Sequence, residues 1–125
     1  MEKASVLLIE DDPFLTRAYQ VKFESEGITL ATATNGEEGL AAMRAQKPKL
    51  ILLDLMMPKK SGFDVLKEMQ QDPGLKDIPV IVLTVLGREE DVRSTLELGA
   101  KEYFIKTETK LDDVIKSAKK YLPSH

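Results

Sequence analysis

Residues 50–62 read LILLDLMMPKKSG, a stretch in which a short apolar run ends in Asp54. The run Leu50–Leu53 is matched by two others, Val6–Ile9 and Val80–Leu83. All three are too short for a helix and consist of Leu, Ile and Val, which is typical of strands covered on both faces of a parallel sheet. We therefore interpret residues 50–62 as a central strand followed by the loop that leaves its carboxyl end.

Segments with helical spacing separate these strands and two weaker ones, Ile28–Ala33 and Tyr103–Ile105. In the clearest helical segment, residues 110–122, apolar side chains recur every three or four positions and lysines occupy the other face. Five β-α units in succession predict an α/β fold, a doubly wound five-stranded parallel sheet with helices on both faces.

Helix start and stop signals agree with this arrangement. Asp12 before Pro13 is a typical N-cap with proline at the first helical position. Capping boxes are predicted to begin at Thr34, Ser61 and Thr109, and helices are predicted to end at Gly27 and Gly99.

The composition limits the kinds of protein that this chain can be. Its 125 residues suit one domain, which we take to span 1–125. With 18 basic and 21 acidic residues the formal net charge is −3, which excludes a generally basic nucleic-acid binder. The absence of cysteine excludes disulfides and thiolate metal sites, and the N-terminal residues resemble neither a signal peptide nor a membrane span. We expect a soluble, cytoplasmic protein that contacts no membrane and does not bind nucleic acid directly.

Polar residues follow the predicted strands at their carboxyl ends, where ligands bind in doubly wound sheets. Glu10 and Asp11 follow the first strand, Asp54 follows Leu50–Leu53, Thr84 follows Val80–Leu83, and Lys106 follows the last strand. Carboxylates that converge in one crevice repel one another unless a cation joins them, and oxygen ligands suit Mg²⁺ or Mn²⁺. An aspartate in such a site can act as a nucleophile and form an aspartyl-phosphate, while the lysine and the hydroxyl group bind phosphoryl oxygens.

Each of these residues has a simpler interpretation when it is taken alone. Acids before a helix are most often N-caps, and Asp12 is the best candidate for that role. A loop aspartate, a strand-end threonine or a surface lysine is equally ordinary. The placement of all of them at one edge of the sheet is what favours a phosphoryl-transfer site.

Four motifs in the chain are similar to those of the receiver domains of two-component response regulators. They are LLIEDDP (7–13), LLDLMMPKKSG (52–62), IPVIVLT (78–84) and LGAKEYFIK (98–106), and the resemblance covers essentially the whole chain. It implies a flavodoxin-like (βα)5 fold with the strand order 2-1-3-4-5. It also implies a protein that accepts a phosphoryl group from a sensor histidine kinase or a phosphotransfer protein and is not itself an enzyme.

The resemblance assigns metal-binding roles to individual residues. Asp54 would receive the phosphoryl group and share in binding Mg²⁺, with Mn²⁺ as a possible substitute. Asp11 would bind the ion directly, and Glu10 would act on it through water. The backbone carbonyl group of Met56 would be a further ligand.

Other residues resemble the parts of the family that contact the phosphoryl group. Thr84 would be the switch hydroxyl, Tyr103 the switch aromatic residue, and Lys106 the ion-pair partner of the phosphoryl group. Pro58 and Gly62 resemble the loop residues that shape the acceptor turn.

The resemblance also implies an output surface formed by helix 88–98, strand 102–105 and helix 110–122, to which an unidentified downstream protein binds. The chain departs from the family at two positions. Thr107 replaces the proline that usually follows the lysine, commonly in a cis peptide. A cis bond before threonine costs about 2.5–4 kcal/mol, so we expect a trans peptide here. Val85 stands where the family often has a smaller residue.

Two positions bear on the lifetime of the phosphorylated form. Met56 and Leu86 each lie two residues beyond a site residue, and in the family these positions influence how fast the aspartyl-phosphate hydrolyses. Both are apolar here and cannot orient a water molecule. We therefore predict a long-lived phosphorylated form.

Two other functions remain open on the sequence alone. A pseudo-receiver would keep the fold as a protein-interaction module without depending on phosphate, which Thr107 and Val85 would allow. An aspartate-nucleophile phosphatase would need a second acid two residues after the nucleophile, and Asp54-Leu55-Met56 lacks it. A dinucleotide-binding fold is excluded because no Gly-x-Gly-x-x-Gly follows the first strand.

Overall fold

Five strands and five helices alternate along the computed structural model, which describes residues 5–123. The strands are β1 (Val6–Ile9), β2 (Leu30–Ala33), β3 (Leu50–Leu53), β4 (Val80–Thr84) and β5 (Glu102–Ile105). The helices are α1 (Pro13–Ser25), α2 (Gly36–Gln46), α3 (Gly62–Gln70), α4 (Glu89–Glu97) and α5 (Leu111–Lys119), with a short 3₁₀ turn at Lys106–Glu108. All strands are parallel and lie in the order β2-β1-β3-β4-β5, which confirms the predicted fold class and strand order.

The register of the central strands brings the polar residues together. Ile9 of β1 pairs with Leu53 of β3, so that Glu10 and Asp54 leave the sheet side by side. The chain reverses its direction of travel across the sheet between β1 and β3, and this is the kind of crevice in which doubly wound folds bind ligands.

Side chains of the central strands alternate between two core clusters. Those facing α2 and α3 are Leu7, Ile9, Ile51, Leu53, Val80 and Val82, and those facing α1 and α5 are Val6, Leu8, Leu50, Leu52, Ile81 and Leu83. Every one of these twelve is at most 2% exposed. Full burial of such a side chain stabilises the fold by about 1.5–3 kcal/mol, so the strands that carry the polar residues form a rigid base for them.

Several predicted helix ends are confirmed. The carboxylate of Asp12 accepts hydrogen bonds from the backbone N–H groups of Phe14 and Leu15, with Pro13 at the start of α1. Gly27 and Gly99, which follow α1 and α4, have φ angles of 75° and 101°, in the left-handed region that glycine adopts without strain.

One predicted capping box is shifted by one residue. The N-cap of α2 is Asn35 and not Thr34, because Asn35 is the last extended residue and its side chain accepts a hydrogen bond from Glu38 N–H at 3.0 Å. The carboxylate of Glu38 in turn accepts from the backbone N–H of Thr34. The box predicted at Ser61 is present in part, since Ser61 Oγ accepts from the N–H of Asp64.

The prediction of a capping box at Thr109 is wrong. Helix α5 begins at Leu111, so that the N-cap is Lys110, and no side chain caps it. Thr109 then lies one residue too far from the free amides of the first turn. The two helices predicted to form the output surface, α4 and α5, are also shorter than the predicted ranges 88–98 and 110–122.

The second strand starts later than predicted, at Leu30 and not Ile28. The N–H of Ile28 donates to the carbonyl oxygen of Phe23, so Ile28 belongs to the turn that ends α1. Within residues 5–123, no helix is both long enough and apolar enough to cross a membrane.

Candidate functional site

Three carboxyl groups meet at the crevice between β1 and β3. Glu10, Asp11 and Asp54 each place one oxygen atom within 4.8 Å of the others. Glu10 and Asp54 are 1% and 4% exposed, whereas Asp11 is exposed, so the cluster is open to solvent on one side only. Acids at this separation repel one another, and the cluster therefore attracts positive charge.

Lys106 places a positive charge beside this cluster. Its Nζ atom lies 2.6 Å from Glu10 Oε1 and 3.1 Å from Asp54 Oδ2. The lysine enters the site from the 3₁₀ turn that follows β5. No peptide bond in residues 5–123 is cis, so Lys106 reaches the acids with a trans bond before Thr107, as expected.

Glu10 and Lys106 each influence the pKa of the other. Burial raises the pKa of Glu10, and the ion pair with Lys106 and the hydrogen bond from the N–H of Asp12 offset this only in part. Burial alone would lower the pKa of Lys106, but the ion pair with Glu10 and the charge of Asp54 outweigh it and raise that pKa. Lys106 is therefore cationic at neutral pH, and its ammonium group pairs with two of the three carboxyl groups of the cluster.

The acidic cluster fits a divalent cation. All of the side-chain atoms that could bind a metal in this cluster are oxygens, which are the ligands that Mg²⁺ and Mn²⁺ prefer. Glu10 Oε1 is fully buried and, although Lys106 lies close to it, accepts no well-aligned hydrogen bond from residues 5–123. Glu10, Asp11 and Asp54 are the side chains that would hold the ion. The ligand role of the Met56 carbonyl group stays a prediction.

The acceptor loop, residues 54–61, is held tightly at both ends. Met56 N–H donates to Asp54 Oδ1 at 3.2 Å, which orients the carboxylate. Gly62 N–H donates to the carbonyl oxygen of Leu55 at 3.0 Å. A Cβ atom at Gly62 would lie 2.3 Å from the backbone oxygen of Asp54, so α3 starts directly against the beginning of this loop and only glycine fits there.

Thr84 and Tyr103 both contact the backbone of one residue, Leu86. Thr84 is fully buried at the end of β4, and its Oγ1 accepts a long hydrogen bond of 3.4 Å from Leu86 N–H. Tyr103 donates its hydroxyl hydrogen to the carbonyl oxygen of Leu86 at 2.6 Å. From the sequence, the side chain of Leu86 was predicted to affect the lifetime of the phosphorylated form, and the role of its backbone became visible only in three dimensions.

Not all predicted residues belong to the cluster. The side chain of Asp12 caps α1 and lies outside the metal-type group, as its simpler interpretation predicted. Three exposed apolar side chains lie within three positions of a predicted site residue in the sequence: Phe14 is 87% exposed, Met56 52% and Val85 54%. Met56 and Asp11 also line an open cavity of about 480 Å³ beside the cluster.

Comparison with known proteins identifies the family and the fold of the chain. A family model described as the response regulator receiver domain matches residues 6–119. The chain belongs to this family. It is a receiver domain of the kind found in response regulators of two-component signalling, with a flavodoxin-like fold.

Three relatives illustrate this membership. The transcriptional regulatory protein AfsQ1 of Streptomyces coelicolor is 40% identical over 102 residues, 82% of this chain but 44% of AfsQ1. The Mn²⁺-bound form of response regulator Rcp1 is 34% identical, with a TM-score of 0.75 over 94% of this chain and 90% of that one. The phosphorylated cyanobacterial phytochrome response regulator RcpA is 32% identical, with a TM-score of 0.81 over 95% and 91%. The chain spans less than half the length of the curated relative.

Proposed function

We propose that Asp54 of this receiver domain accepts a phosphoryl group and that the modified domain binds a downstream protein. The observation that carries the proposal is the ion pair of Lys106 with Asp54, in the same crevice as Glu10 and Asp11. A carboxylate in an oxygen-lined, cation-attracting site beside a fixed lysine has the features that phosphoryl transfer needs, namely positioning and charge neutralisation.

The transfer step follows from the placement of these groups. A carboxylate oxygen of Asp54 forms a bond to phosphorus while the bond from phosphorus to the donor's leaving atom breaks, and the leaving atom keeps that electron pair. Lys106 neutralises one oxygen of the transferred group, and Thr84 can donate its hydroxyl hydrogen to another. A bound divalent ion would neutralise further charge on the phosphoryl oxygens. The chain is thus the acceptor of the group and not an enzyme acting on a separate substrate.

A sensor histidine kinase or a phosphotransfer protein is the proposed donor, acting on this domain in the cytoplasm. Such a donor must approach Asp54 within bonding distance and so cover the surrounding surface. Three exposed apolar side chains follow site residues closely in the sequence: Phe14 in the first turn of α1, Met56 in the loop after β3 and Val85 in the loop after β4. They give a protein donor apolar contacts that a small phosphodonor would not use.

The output surface is proposed to be the face formed by α4, β5 and α5. Phosphorylation adds about −1.5 to −2 charges beside Thr84, and a receiver responds by shifting between two states. Helix α4 is suited to such a shift because its two buried residues, Asp91 and Thr95, are polar. Little apolar area holds it to the sheet, so a small change in the β4–α4 loop can move it.

The test is to add Mg²⁺ and then acetyl phosphate or beryllofluoride while following backbone amide signals by NMR. We expect Mg²⁺ to shift signals near Asp11 and Asp54, and the phosphoryl source to shift those near Thr84, Tyr103 and Lys106. Intact mass spectrometry should show one added phosphoryl group. The variant Asp54→Asn should fold and show neither the added mass nor the second set of shifts.

The alternative is a pseudo-receiver that binds partners without phosphate. Thr107 is the feature that favours it, since the loop after Lys106 departs from the usual sequence there. If neither Mg²⁺ nor either phosphoryl source changes the spectrum of the folded protein, the phospho-acceptor proposal fails and the pseudo-receiver takes its place.

A further inference from the structure

The first residue of α2 touches the acceptor loop. A Cβ atom placed on Gly36 would lie 2.6 Å from the backbone oxygen of Lys60, 2.9 Å from Cβ of Lys60 and 2.8 Å from Cγ2 of Val65. The nearest of these atoms belongs to the backbone, so no side-chain rotation could relieve the contact. Gly36 therefore lets the backbone of α2 approach the loop that carries the acceptor.

The α2 side of this contact cannot move away easily. Asn35 Oδ1 accepts a hydrogen bond from Glu38 N–H at 3.0 Å, and Glu38 Oε1 accepts one from Thr34 N–H at 3.0 Å. These two bonds fix the first turn of α2 on either side of Gly36.

The loop side is equally constrained. Lys60 N–H donates to the carbonyl oxygen of Pro58 at 2.8 Å, and Gly62 N–H donates to that of Leu55 at 3.0 Å. Since only residues 56–61 lie between Leu55 and Gly62, a displaced Lys60 must carry its neighbours with it. One of those neighbours is Met56, whose N–H orients the Asp54 carboxylate.

We infer that Gly36 is a positioning residue for the phospho-acceptor: by allowing α2 to contact the Lys60 carbonyl group, it fixes the loop that aims the Asp54 carboxylate. This inference rests on the proposed role of Asp54. Gly36 touches neither the carboxylate nor the acid cluster, and it acts only through the acceptor loop.

The variant Gly36→Ala tests the inference. The added methyl group must push the Lys60 carbonyl group outward, so Asp54 and the loop backbone lose their alignment. We expect phosphorylation by acetyl phosphate to slow about ten- to a hundredfold, the range for a misplacement approaching 1 Å. Mg²⁺ binding should weaken as well, and the amide signals of Met56 and Gly62 should shift before any ligand is added.

Gly39→Ala is the matched control. Its Cβ atom would lie 2.5 Å from Cδ1 of Ile9, the far end of a side chain on β1, and it does not face the loop. We expect this variant to lose stability in urea unfolding but to keep the phosphorylation rate and the Met56 and Gly62 signals of the parent protein.

Rescue experiments separate the backbone contact from side-chain crowding. Val65→Ala removes the side-chain part of the clash but leaves the Lys60 carbonyl group in place, so it should not restore Gly36→Ala. Asn35→Ala removes the hydrogen bond to Glu38 N–H and so loosens the first turn of α2 without adding an atom. This variant tests the inference if Gly36→Ala does not fold. It should slow phosphorylation by a smaller factor.

Two outcomes would overturn the inference. One is that Gly36→Ala and Gly39→Ala slow phosphorylation equally once the folded fraction is taken into account; the other is that Val65→Ala restores the rate. If the parent protein takes no phosphoryl group at all, the proposed function fails separately. The Met56 and Gly62 signals of the two glycine variants then still decide whether Gly36 positions the loop.

Discussion

Tyr103 donates its hydroxyl hydrogen to the backbone carbonyl oxygen of Leu86 at 2.6 Å, across 17 positions of sequence. The N–H of the same residue donates to Thr84 Oγ1 at 3.4 Å. The strand-end hydroxyl and the aromatic residue therefore share one backbone unit in the β4–α4 loop. If Thr84 binds a phosphoryl oxygen as proposed, a change in its hydrogen bond with Leu86 would reach Tyr103 through this unit, and this is the proposed link between the two residues.

Removing the Tyr103 hydroxyl group should loosen the β4–α4 loop. The variant Tyr103→Phe keeps the ring but loses the bond to Leu86, which should lower the free energy of unfolding by about 1 kcal/mol. We expect faster hydrogen exchange at the amides of residues 85–88. Tyr121→Phe also loses one hydrogen bond, but that bond is to the Glu102 side chain and not to the β4–α4 loop, so the variant should leave those amides unchanged. Equal exchange in both variants would contradict the proposed link.

Polar side chains at the two apolar positions near the site should shorten the life of the phosphorylated form. Met56 is half exposed, so Met56→Asn can bind a water near Asp54 without disturbing the core. We expect hydrolysis to be about three- to tenfold faster, as one hydrogen bond of about 0.7–1.4 kcal/mol to the attacking water implies. Decay of the phosphorylated mass with time measures this.

Leu86→Glu should act in the same direction at the cost of stability. Leu86 is half-buried and packs against the core cluster of α2 and α3. Partial burial of a carboxylate there should cost about 1–3 kcal/mol. Leu86→Gln has a similar shape without the charge and is the control. Unchanged decay in both Met56→Asn and Leu86→Glu would contradict the predicted lifetime effect.

The backbone of Lys59 should be strained. Its φ angle is 68°, a left-handed conformation that costs a non-glycine residue about 1–2 kcal/mol. Glycine avoids this cost, but its greater conformational freedom in the unfolded chain lowers the stability of the folded state by about 0.5–1 kcal/mol. The net effect of Lys59→Gly should therefore be a rise in stability of up to about 1 kcal/mol. Lys67→Gly, in the exposed face of α3, should lower it by about 1 kcal/mol. Urea unfolding of both variants gives the comparison, and a loss at both positions would be evidence against strain.

The bond between Tyr121 and Glu102 should make stability depend on pH at both extremes. Burial and the hydrogen bond to Glu102 raise the pKa of Tyr121 from 10.0 to about 12. Stability from the protonated tyrosine is complete below pH 10 and is lost as the pH rises from 10 to about 12. Burial would raise the pKa of Glu102, but hydrogen bonds from Tyr121, Ser117 and Lys120 outweigh it and lower that pKa. Stability from the ionised Glu102 is present above pH 4.5 and is lost as the pH falls below it.

Tyr121→Phe isolates these effects. The difference in unfolding free energy between parent and variant should be at most about 1 kcal/mol near neutral pH, because the pair is partly exposed. That difference should shrink between pH 10 and 12. A difference that stays constant over this interval would show that the tyrosine proton does not contribute.

The sequence predicted most reliably what depends on neighbours along the chain. Asp12 was identified as a cap because a cap needs only its own backbone and the next three amides. The boxes at Thr34 and Thr109 were misplaced because the first helical residue depends on how a helix packs, and a shift of one residue moves the cap out of reach. The contact of Gly36 with Lys60 had no signal in the sequence, since the two lie on different elements.

The sequence by itself determined the sheet, its strand order through the family resemblance, and the set of residues at its carboxyl edge. Apolar runs of fixed length and parallel connections allow few alternatives, so the polar residues that end those runs must meet at one edge. Only the tertiary structure decided which of these residues contact one another. Lys106 lies against both Glu10 and Asp54, and the side chain of Asp12 caps α1. The backbone of Leu86 hydrogen-bonds to both Thr84 and Tyr103. Contacts of this kind depend on ångström-scale distances between elements far apart in the chain, which burial and packing fix and residue order does not.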